Sequence, residues 1–498
     1  MREEVKLNFL ILLLAITTLV GLSNVNHILV SDELDYADAV ELGFIQNYLE
    51  SDSISTYEFF AQTLTALVQK TEMNTWKQMQ ERGDVMSLRH FHGPVAYYGY
   101  NVFSQLFPSQ SLRWLSVMLS ISLLVLLLFA INEVEPIVKF LLMSSFCCYL
   151  IYSGQTVAIT PHILYATIVM LTLLLARKLM TNKNPVCWYL LCALIAVAVA
   201  TLEYSVFLLT SILFLIYLKK PNQLGLTKKE LLRGLLVFIL ASAAIWPAGF
   251  FKLKILVSYA KYSYLAIFSD YYGSIRDSLF LSSYGHGILF IMIAATLLLY
   301  LSNKLYRQNQ ARLPFIIYGL LIFCVNLPNH FVYPQYAFSF IPILLVPTAV
   351  VLSQIFKKSI VTKVSIIALL VVATFINIKE VTHSIEVSNQ TEKTQRKNLI
   401  AISKKLHEDR EVMLIGYGNY IAKRNLDFKA NLTTLDPDID SIRSLTANLN
   451  NKPIDAVIYM HNSKRVFKKV SSEAIKAWLS SNFEVSLSGS DYTVFRRN

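Results

Sequence analysis

Charged residues are scarce in this chain. Asp, Glu, Lys and Arg make up only 16% of its 498 residues, whereas 54% are hydrophobic and the mean hydropathy is +0.47. A soluble domain carries about 25% charged residues. Apolar runs of about 17–25 residues, enough to cross about 30 Å of hydrocarbon as helices, recur through the first three quarters of the sequence. The composition excludes an ordinary soluble protein and predicts several membrane-spanning helices.

Cysteine is also scarce, and it is absent from the two large polar regions, near residues 25–110 and 379–498. This distribution excludes a disulfide framework and a thiolate metal site in those regions. Within or beside apolar runs, cysteines are expected to act as small packing residues. The five cysteines are Cys147, Cys148, Cys187, Cys192 and Cys324.

The net charge of +12 does not indicate nucleic-acid binding. The basic residues lie in short loops between apolar runs, which is typical of cytoplasmic loops near anionic lipid. We therefore expect membrane lipid as a partner and no nucleic acid.

The apolar runs predict about eleven spans. No small-x-small cleavage pattern follows the first run, so we expect an uncleaved first helix. The long apolar stretch 186–218 is split at Thr201-Leu202-Glu203, because this division preserves the alternation of basic loops downstream. The spans are predicted near residues 6–24, 111–131, 136–153, 161–179, 186–201, 203–218, 231–250, 284–302, 312–327, 335–356 and 361–378.

The basic loops predict a cytoplasmic N-terminus, and the acidic loop Glu133-Val134-Glu135 is the exception to this charge pattern. The compact cytoplasmic loops favour a bacterial inner membrane. The predicted topology places four features outside: a first loop near 25–110, the Glu203 junction, a tyrosine-rich loop near 251–283, and the region 379–498.

The predicted fold is therefore mainly α, with a transmembrane bundle over 1–378 and a soluble extracytoplasmic α/β domain over 379–498. Helical spacing in 38–49 and 57–68 predicts surface helices in the first loop. The C-terminal region predicts a helix at 471–481. Its predicted strands are 412–415, 456–459, 483–487 and 492–496.

An acidic segment follows the first span: Asp32, Glu33, Asp35 and then Tyr36. Clustered carboxylates suit a general base that deprotonates an acceptor, or a site for a divalent cation such as Mg²⁺ or Mn²⁺. The alternative is a set of solvated loop residues at the membrane boundary.

Other ionisable residues fall near the same outer face. His90 and His92 precede a Gly-Pro turn. Their imidazoles are suited to ligate a metal, to orient a carboxylate or to bind a phosphate. The alternative is a structural role at the point where the chain re-enters the membrane. Arg113 suits either a headgroup anchor or a lipid-phosphate ligand. Glu203 is either an intramembrane functional group or an interfacial one.

Two later segments supply further candidates. Lys252 and Lys254 lie in a tyrosine-rich loop, where bases suit phosphate and aromatic rings suit sugar faces. The alternative is an aromatic belt with snorkelling lysines. His330 and Tyr333 precede the tenth predicted span on the same face.

Three motifs resemble those of the GT-C membrane glycosyltransferases, closest to the protein O-mannosyltransferase-like and aminoarabinose-transferase-like branch. They are Asp32-Glu33-Leu34-Asp35-Tyr36 after a short first helix, His92-Gly93-Pro94 about 55 residues later, and the arginine that opens the next helix in Leu112-Arg113-Trp114. The resemblance covers residues 6–378 as an architecture.

The resemblance implies transfer of a sugar from a polyprenyl-phosphate-linked donor to a glycan, lipid or protein acceptor of the envelope. It assigns the general base to Asp32, with Glu33 beside it, and requires no metal in this branch. Some relatives carry arginine in a motif that here reads Tyr333-Pro334-Gln335-Tyr336. Because glutamine replaces that arginine, His330, Lys252 or Lys254 is expected to bind the donor phosphate.

Two other functions fit a polytopic chain. A transporter or flippase of lipid-linked or anionic substrates would be expected to show internal repeats and broken helices in matching halves, and the sequence shows neither. A non-catalytic envelope assembly protein would tolerate amides in place of the acidic segment.

Overall fold

The computed structural model describes most of the chain. The described residues are 2–22, 25, 27–29, 32–49, 55–68, 92–108, 110–154, 156–252, 255, 257, 312–326, 341–409, 411–415, 420–421, 425–427, 430–434, 454–461 and 472–497. They are mainly helical, with one small sheet near the C-terminus, which confirms the predicted mainly α composition and the sheet in the C-terminal region.

Two compact units divide these residues. The first unit contains the described residues within 1–25 and 36–384. The second unit contains those within 26–35 and 385–498. One continuous helix, Ile360–Leu406, contributes residues to both. The predicted domain boundary at 378/379 stays a prediction.

Helices form the first unit. They are α1 (Arg2–Leu22), α2 (Asp32–Glu41), α3 (Phe44–Leu49), α4 (Thr56–Val68), α5 (Val95–Leu106), α6 (Arg113–Ala130), α7 (Pro136–Tyr152), α8 (Pro161–Asn182), α9 (Pro185–Val199), α10 (Ser205–Lys219), α11 (Lys228–Ile245), α12 (Pro247–Phe251), α13 (Leu313–Asn326), α14 (Ile341–Phe356) and α15 (Ile360–Leu406), of which α2 and α15 continue into the second unit.

Among the described helices, three have the length and hydropathy needed to cross a membrane: α6, α8 and α15. Helices also occupy the other predicted spans, except that the span near 284–302 lies outside the described residues. Several of these helices are shorter than 18 residues, so the count of eleven spans stays a prediction.

Local sequence explains where several helices begin. Proline stands at the first turn of α7, α8 and α9, where its missing N–H removes no helical hydrogen bond. Thr227 caps α11 and exchanges hydrogen bonds with Glu230 in a capping box. Helix α9 ends at Val199 and α10 begins at Ser205, so the break falls at the predicted Thr201-Leu202-Glu203 junction.

The first predicted surface helix, 38–49, is wrong in its extent. Helix α2 already begins at Asp32, and it ends before Gly43, whose φ of +86° suits glycine and breaks the helix. The acidic segment is therefore the first turn of a helix and not a loop. Helices α3 and α4 expose large apolar side chains, as expected for surface helices: Ile45, Leu49, Tyr57, Phe60 and Leu64.

A five-stranded sheet forms the centre of the second unit. Its strands are β1 (Glu411–Ile415), β2 (Asn431–Thr434), β3 (Ala456–Met460), β4 (Glu484–Ser488) and β5 (Tyr492–Arg496), with helix α16 (Ser472–Asn482) before β4. The order is β2-β1-β3-β5-β4. Strand β1 pairs in parallel with β2 and β3, whereas β5 pairs antiparallel with β3 and β4.

The alternating side chains of the sheet build two hydrophobic cores. Met413 and Ile415 pack on the face that also contacts Ile475 and Leu479 of α16. Val412 and its neighbours pack on the opposite face with the end of α15. The four predicted strands and the helix are present, but the short strand β2 was not predicted.

Candidate functional site

The acidic segment occupies the first turn of α2. Glu33 is buried, with 8% of its surface exposed. The backbones of Asp32 and Asp35 are helical, but their side chains lie outside the described residues. Tyr36, one turn later in the same helix, is also buried, with 6% of its surface exposed.

A second group of ionisable residues forms around His92. Its Nδ1 atom lies 2.8 Å from Oε2 of Glu203, although 111 residues separate the two in sequence. Both side chains are almost fully buried, with 11% and 5% exposed. The structure thus brings together two candidates that the sequence identified separately.

Gly93 allows this approach. The backbone N–H of Val95 donates a hydrogen bond to the carbonyl oxygen of Ala200, at 3.0 Å. A Cβ atom on Gly93 would lie 2.2 Å from the same oxygen, closer than any contact allows. Glycine is therefore required to pack the start of α5 against the end of α9, three residues before Glu203.

The charge state of Glu203 follows from opposing effects. Burial alone would raise its pKa, but attraction to His92 and the hydrogen bond between them outweigh burial, so the pKa of Glu203 lies below its ordinary value. An ionised carboxylate only accepts hydrogen bonds, so Nδ1 of His92 carries the proton and donates it. The other ring nitrogen, Nε2, is an acceptor in the neutral ring and a donor in the charged one.

Aromatic rings enclose His92 on two sides. The ring of Tyr36 stacks on it with centroids 6.1 Å apart, and Tyr36 also stacks on Tyr97 at 5.9 Å. His162 meets His92 edge-on at 5.9 Å and is buried at the first turn of α8. We call Tyr36, His92, Tyr97, His162 and Glu203 the histidine cluster.

His162 was not among the predicted site residues. It follows Pro161 at the beginning of an apolar run, and an ionisable residue in such a run is costly enough to indicate a specific role. That signal was available in the sequence. Its proximity to His92 was not, because 70 residues separate them.

Two of the remaining candidates belong to elements other than those of the histidine cluster, and four lie outside the described residues. Arg113 is buried at the first turn of α6, and Lys252 is partly buried just after α12. Four predicted residues lie outside the described residues: His90, Lys254, His330 and Tyr333.

The described residues contain no group of three His, Cys, Asp or Glu side chains arranged to hold a metal ion. The histidine cluster offers one carboxylate and two imidazoles, but these side chains pair with one another or stack. Because the side chains of Asp32 and Asp35 are not described, a divalent cation at the acidic segment stays a prediction.

Chemically, the histidine cluster combines an oriented imidazole with aromatic faces. A buried imidazole held by a carboxylate suits contact with an anionic oxygen, and tyrosine rings suit the faces of sugars. The acidic segment adds carboxylates able to accept a proton.

Comparison with known proteins gives a structural likeness. No protein-family model matches the chain, and no curated protein matches it. The crystal structure of ArnT from Cupriavidus metallidurans bound to undecaprenyl phosphate is similar, with a TM-score of 0.63, 10% identity, and coverage of 98% of this chain and 97% of that one. The apo structure of the same protein gives a TM-score of 0.57 with 11% identity over the same shares of the chains.

This likeness extends over nearly the full length of both chains. The chain therefore has the fold of the GT-C membrane glycosyltransferases, as the resemblance of its motifs predicted. At 10% identity, the likeness establishes the fold, and function has to be argued from the site.

Proposed function

We propose that this protein transfers a sugar from a polyprenyl-phosphate-linked donor to an envelope acceptor, on the extracytoplasmic face of a bacterial inner membrane. The full-length likeness to ArnT bound to undecaprenyl phosphate carries the proposal. The histidine cluster supports it, because buried ionisable groups in a membrane protein are costly and are retained for function.

In the proposed reaction, an acceptor hydroxyl or amine attacks the anomeric carbon of the donor sugar. The bond between that carbon and the phosphate oxygen breaks, and polyprenyl phosphate leaves with the electron pair. Asp32 accepts the acceptor's proton, with Glu33 beside it. A phosphate leaving group needs little acid assistance, so one base and groups that stabilise the phosphate are sufficient for an inverting displacement.

The position of Asp32 supports its role. It lies in the first turn of α2, where the N-terminal end of the helix dipole favours an ionised carboxylate. We assign contact with the donor phosphate to His92, whose ring is oriented by the hydrogen bond from its Nδ1 to Glu203.

The test compares cells that carry the wild-type gene, the deletion, Asp32→Asn and Asp38→Asn. Asp38 is exposed on the same helix and provides the matched control. Mass spectrometry of envelope glycans and lipids should show the loss of one sugar residue in the deletion and in Asp32→Asn, and no change in Asp38→Asn. The mass that is lost identifies the sugar as a hexose, pentose or amino sugar.

Immunoblots of membrane fractions should show equal amounts of all three proteins. Normal transfer by Asp32→Asn would reject Asp32 as the base, and an unchanged envelope in the deletion strain would reject the proposed function itself.

A further inference from the structure

The second unit contains the segment that leads into the acidic turn. The backbone N–H of Ile28 donates to both carboxylate oxygens of Glu392 in α15, at 3.2 Å each. Glu392 is 9% exposed, so this hydrogen bond is shielded from water. An ionised acceptor makes such a bond stronger than a neutral one.

Two further contacts hold the same short segment. The side-chain amide of Asn425 donates to the carbonyl oxygen of Leu29 at 2.8 Å and to that of Tyr420 at 2.8 Å. The side chain of Ile28 packs against the hydrophobic core between α15 and the sheet. Consecutive residues are therefore fixed through an N–H, a C=O and a side chain, which leaves the segment little freedom to rotate.

The held segment is close to the acidic turn in sequence. Leu29 precedes Asp32 by three residues, which span at most about 10 Å of chain. A general base must be positioned within a fraction of an ångström, since a displacement of about 1 Å can cost about 100-fold in rate. Fixing the chain three residues upstream restricts where the first turn of α2 begins.

We propose that the C-terminal unit positions the acidic turn for catalysis, with Glu392 and Asn425 as the positioning residues. The inference rests on the proposed function, because it takes Asp32 as the base. It gives the α/β unit a role in the reaction: its contacts with residues 28 and 29 maintain the geometry of the base, whereas it does not itself bind the reacting atoms.

The variants distinguish positioning from general stability. Glu392→Ala removes the acceptor for Ile28, whereas Glu392→Gln keeps an oxygen at the same distance along the side chain. Asn425→Ala removes the donor to Leu29. Asn431→Ala is the matched control, because Asn431 also donates from its side chain within this unit, but to Glu411 on the neighbouring strand β1.

Transfer is measured with purified full-length protein in detergent, using an extract of the host envelope that contains both the lipid-linked donor and the glycan, lipid or protein acceptor. Glu392→Ala and Asn425→Ala should lower kcat about 10- to 100-fold while the half-saturating amount of extract stays within about twofold. Glu392→Gln should recover most of the rate, and Asn431→Ala should match wild type. Equal losses in Asn431→Ala would overturn the proposal.

Hydrogen–deuterium exchange provides a readout independent of activity. The peptide covering residues 26–35 should exchange faster in Glu392→Ala and Asn425→Ala, with unchanged exchange over α16 showing that the unit remains folded. Faster exchange with an unchanged kcat, or unchanged exchange in both variants, would overturn the positioning role. If wild type transfers no sugar, the proposed function fails, and the catalytic role of these residues fails with it.

Discussion

At the scale of single residues, Gly93 determines whether His92 reaches Glu203. In Gly93→Ala, the new Cβ would overlap the Ala200 carbonyl, so the start of α5 must move away from the end of α9. Overpacking of this kind costs about 1–3 kcal/mol. We expect a lower unfolding temperature and strongly reduced sugar transfer, measured on purified protein in detergent.

Gly99→Ala, within helix α5 that follows Gly93, provides the control. A Cβ there would lie 3.7 Å from a side-chain atom of Leu115, an ordinary contact, and alanine favours helix by about 0.5–1 kcal/mol over glycine. This variant should be at least as stable as wild type. If Gly93→Ala behaved in the same way, the close packing of the turn on Ala200 would not matter.

The pairing of Glu203 with His92 predicts a dependence of stability on pH. Because the pKa of Glu203 is lower in the folded protein than its ordinary value of 4.5, its contribution is present above that value and is lost as pH falls through the folded value. Glu203→Gln keeps an acceptor oxygen but no charge. At pH 7 we expect the variant to be about 1–3 kcal/mol less stable.

Thermal unfolding of both proteins from pH 7 down to pH 3 checks this prediction. The difference between their midpoints should be constant near neutral pH and should shrink below about pH 4.5. A difference that grew as the pH fell would contradict the assigned charge state of Glu203.

At the scale of elements, the loop between α6 and α7 explains an exception in the charge pattern. Glu133 pairs with Arg177 near the end of α8 at 2.9 Å and with Arg312 just before α13 at 2.7 Å. Burial acts to raise the pKa of Glu133, but the two arginines lower it more. The acidic loop thus pairs with two arginines, Arg177 and Arg312, that the predicted topology places on the same side of the membrane as the loop.

A double-mutant cycle measures this connection. Glu133→Gln, Arg312→Gln and the double variant should give a coupling energy of about 1 kcal/mol in unfolding experiments, because Arg312 is only 6% exposed while Glu133 is 59% exposed. The same cycle on Glu135 and Lys357, whose lysine is 60% exposed, should give less than about 0.5 kcal/mol. Equal coupling in the two pairs would contradict the role assigned to burial.

Sequence reasoning succeeded where the signal is local. The apolar runs located the long helices, and the interruption at 201–203 correctly divided α9 from α10. Short apolar stretches predicted four strands, but β2 contains a single apolar residue, Leu432, so no apolar stretch marks it.

The site was predicted as separate residues and not as contacts. His92 and Glu203 were identified because ionisable groups near membrane spans are unusual, yet their 2.8 Å pairing depends on how α5 packs against α9. The hydrogen bond from Ile28 to Glu392 joins positions 364 residues apart, and the local composition around either residue does not indicate it. Contacts of this range follow from tertiary packing, which a single sequence does not specify.

At the scale of the whole molecule, the charge pattern predicts an orientation. Cys147, Cys187 and Cys192 are buried, and Cys148 and Cys324 are replaced by serine to lower the background of thiol labelling. Asn222→Cys places a thiol in the exposed loop between α10 and α11, and Ser490→Cys places one in the exposed turn between β4 and β5.

In intact cells, a membrane-impermeant maleimide should label Ser490→Cys and should leave Asn222→Cys unlabelled until the membrane is opened. This result is expected because the basic residues flanking Asn222 favour the cytoplasmic side. Labelling of Asn222→Cys in intact cells would reverse the proposed orientation.

The hydrogen bond between Ile28 and Glu392 can form only late in the synthesis of each molecule. At about 5–20 residues per second, the ribosome needs about 20–70 seconds to translate the 364 residues that separate the two partners. During that interval the early helices are already entering the bilayer while the start of α2 still lacks its distant support. Under the proposed function, a nascent chain that stalls before Glu392 would lack the contact that positions Asp32, so unfinished copies would not consume lipid-linked sugar.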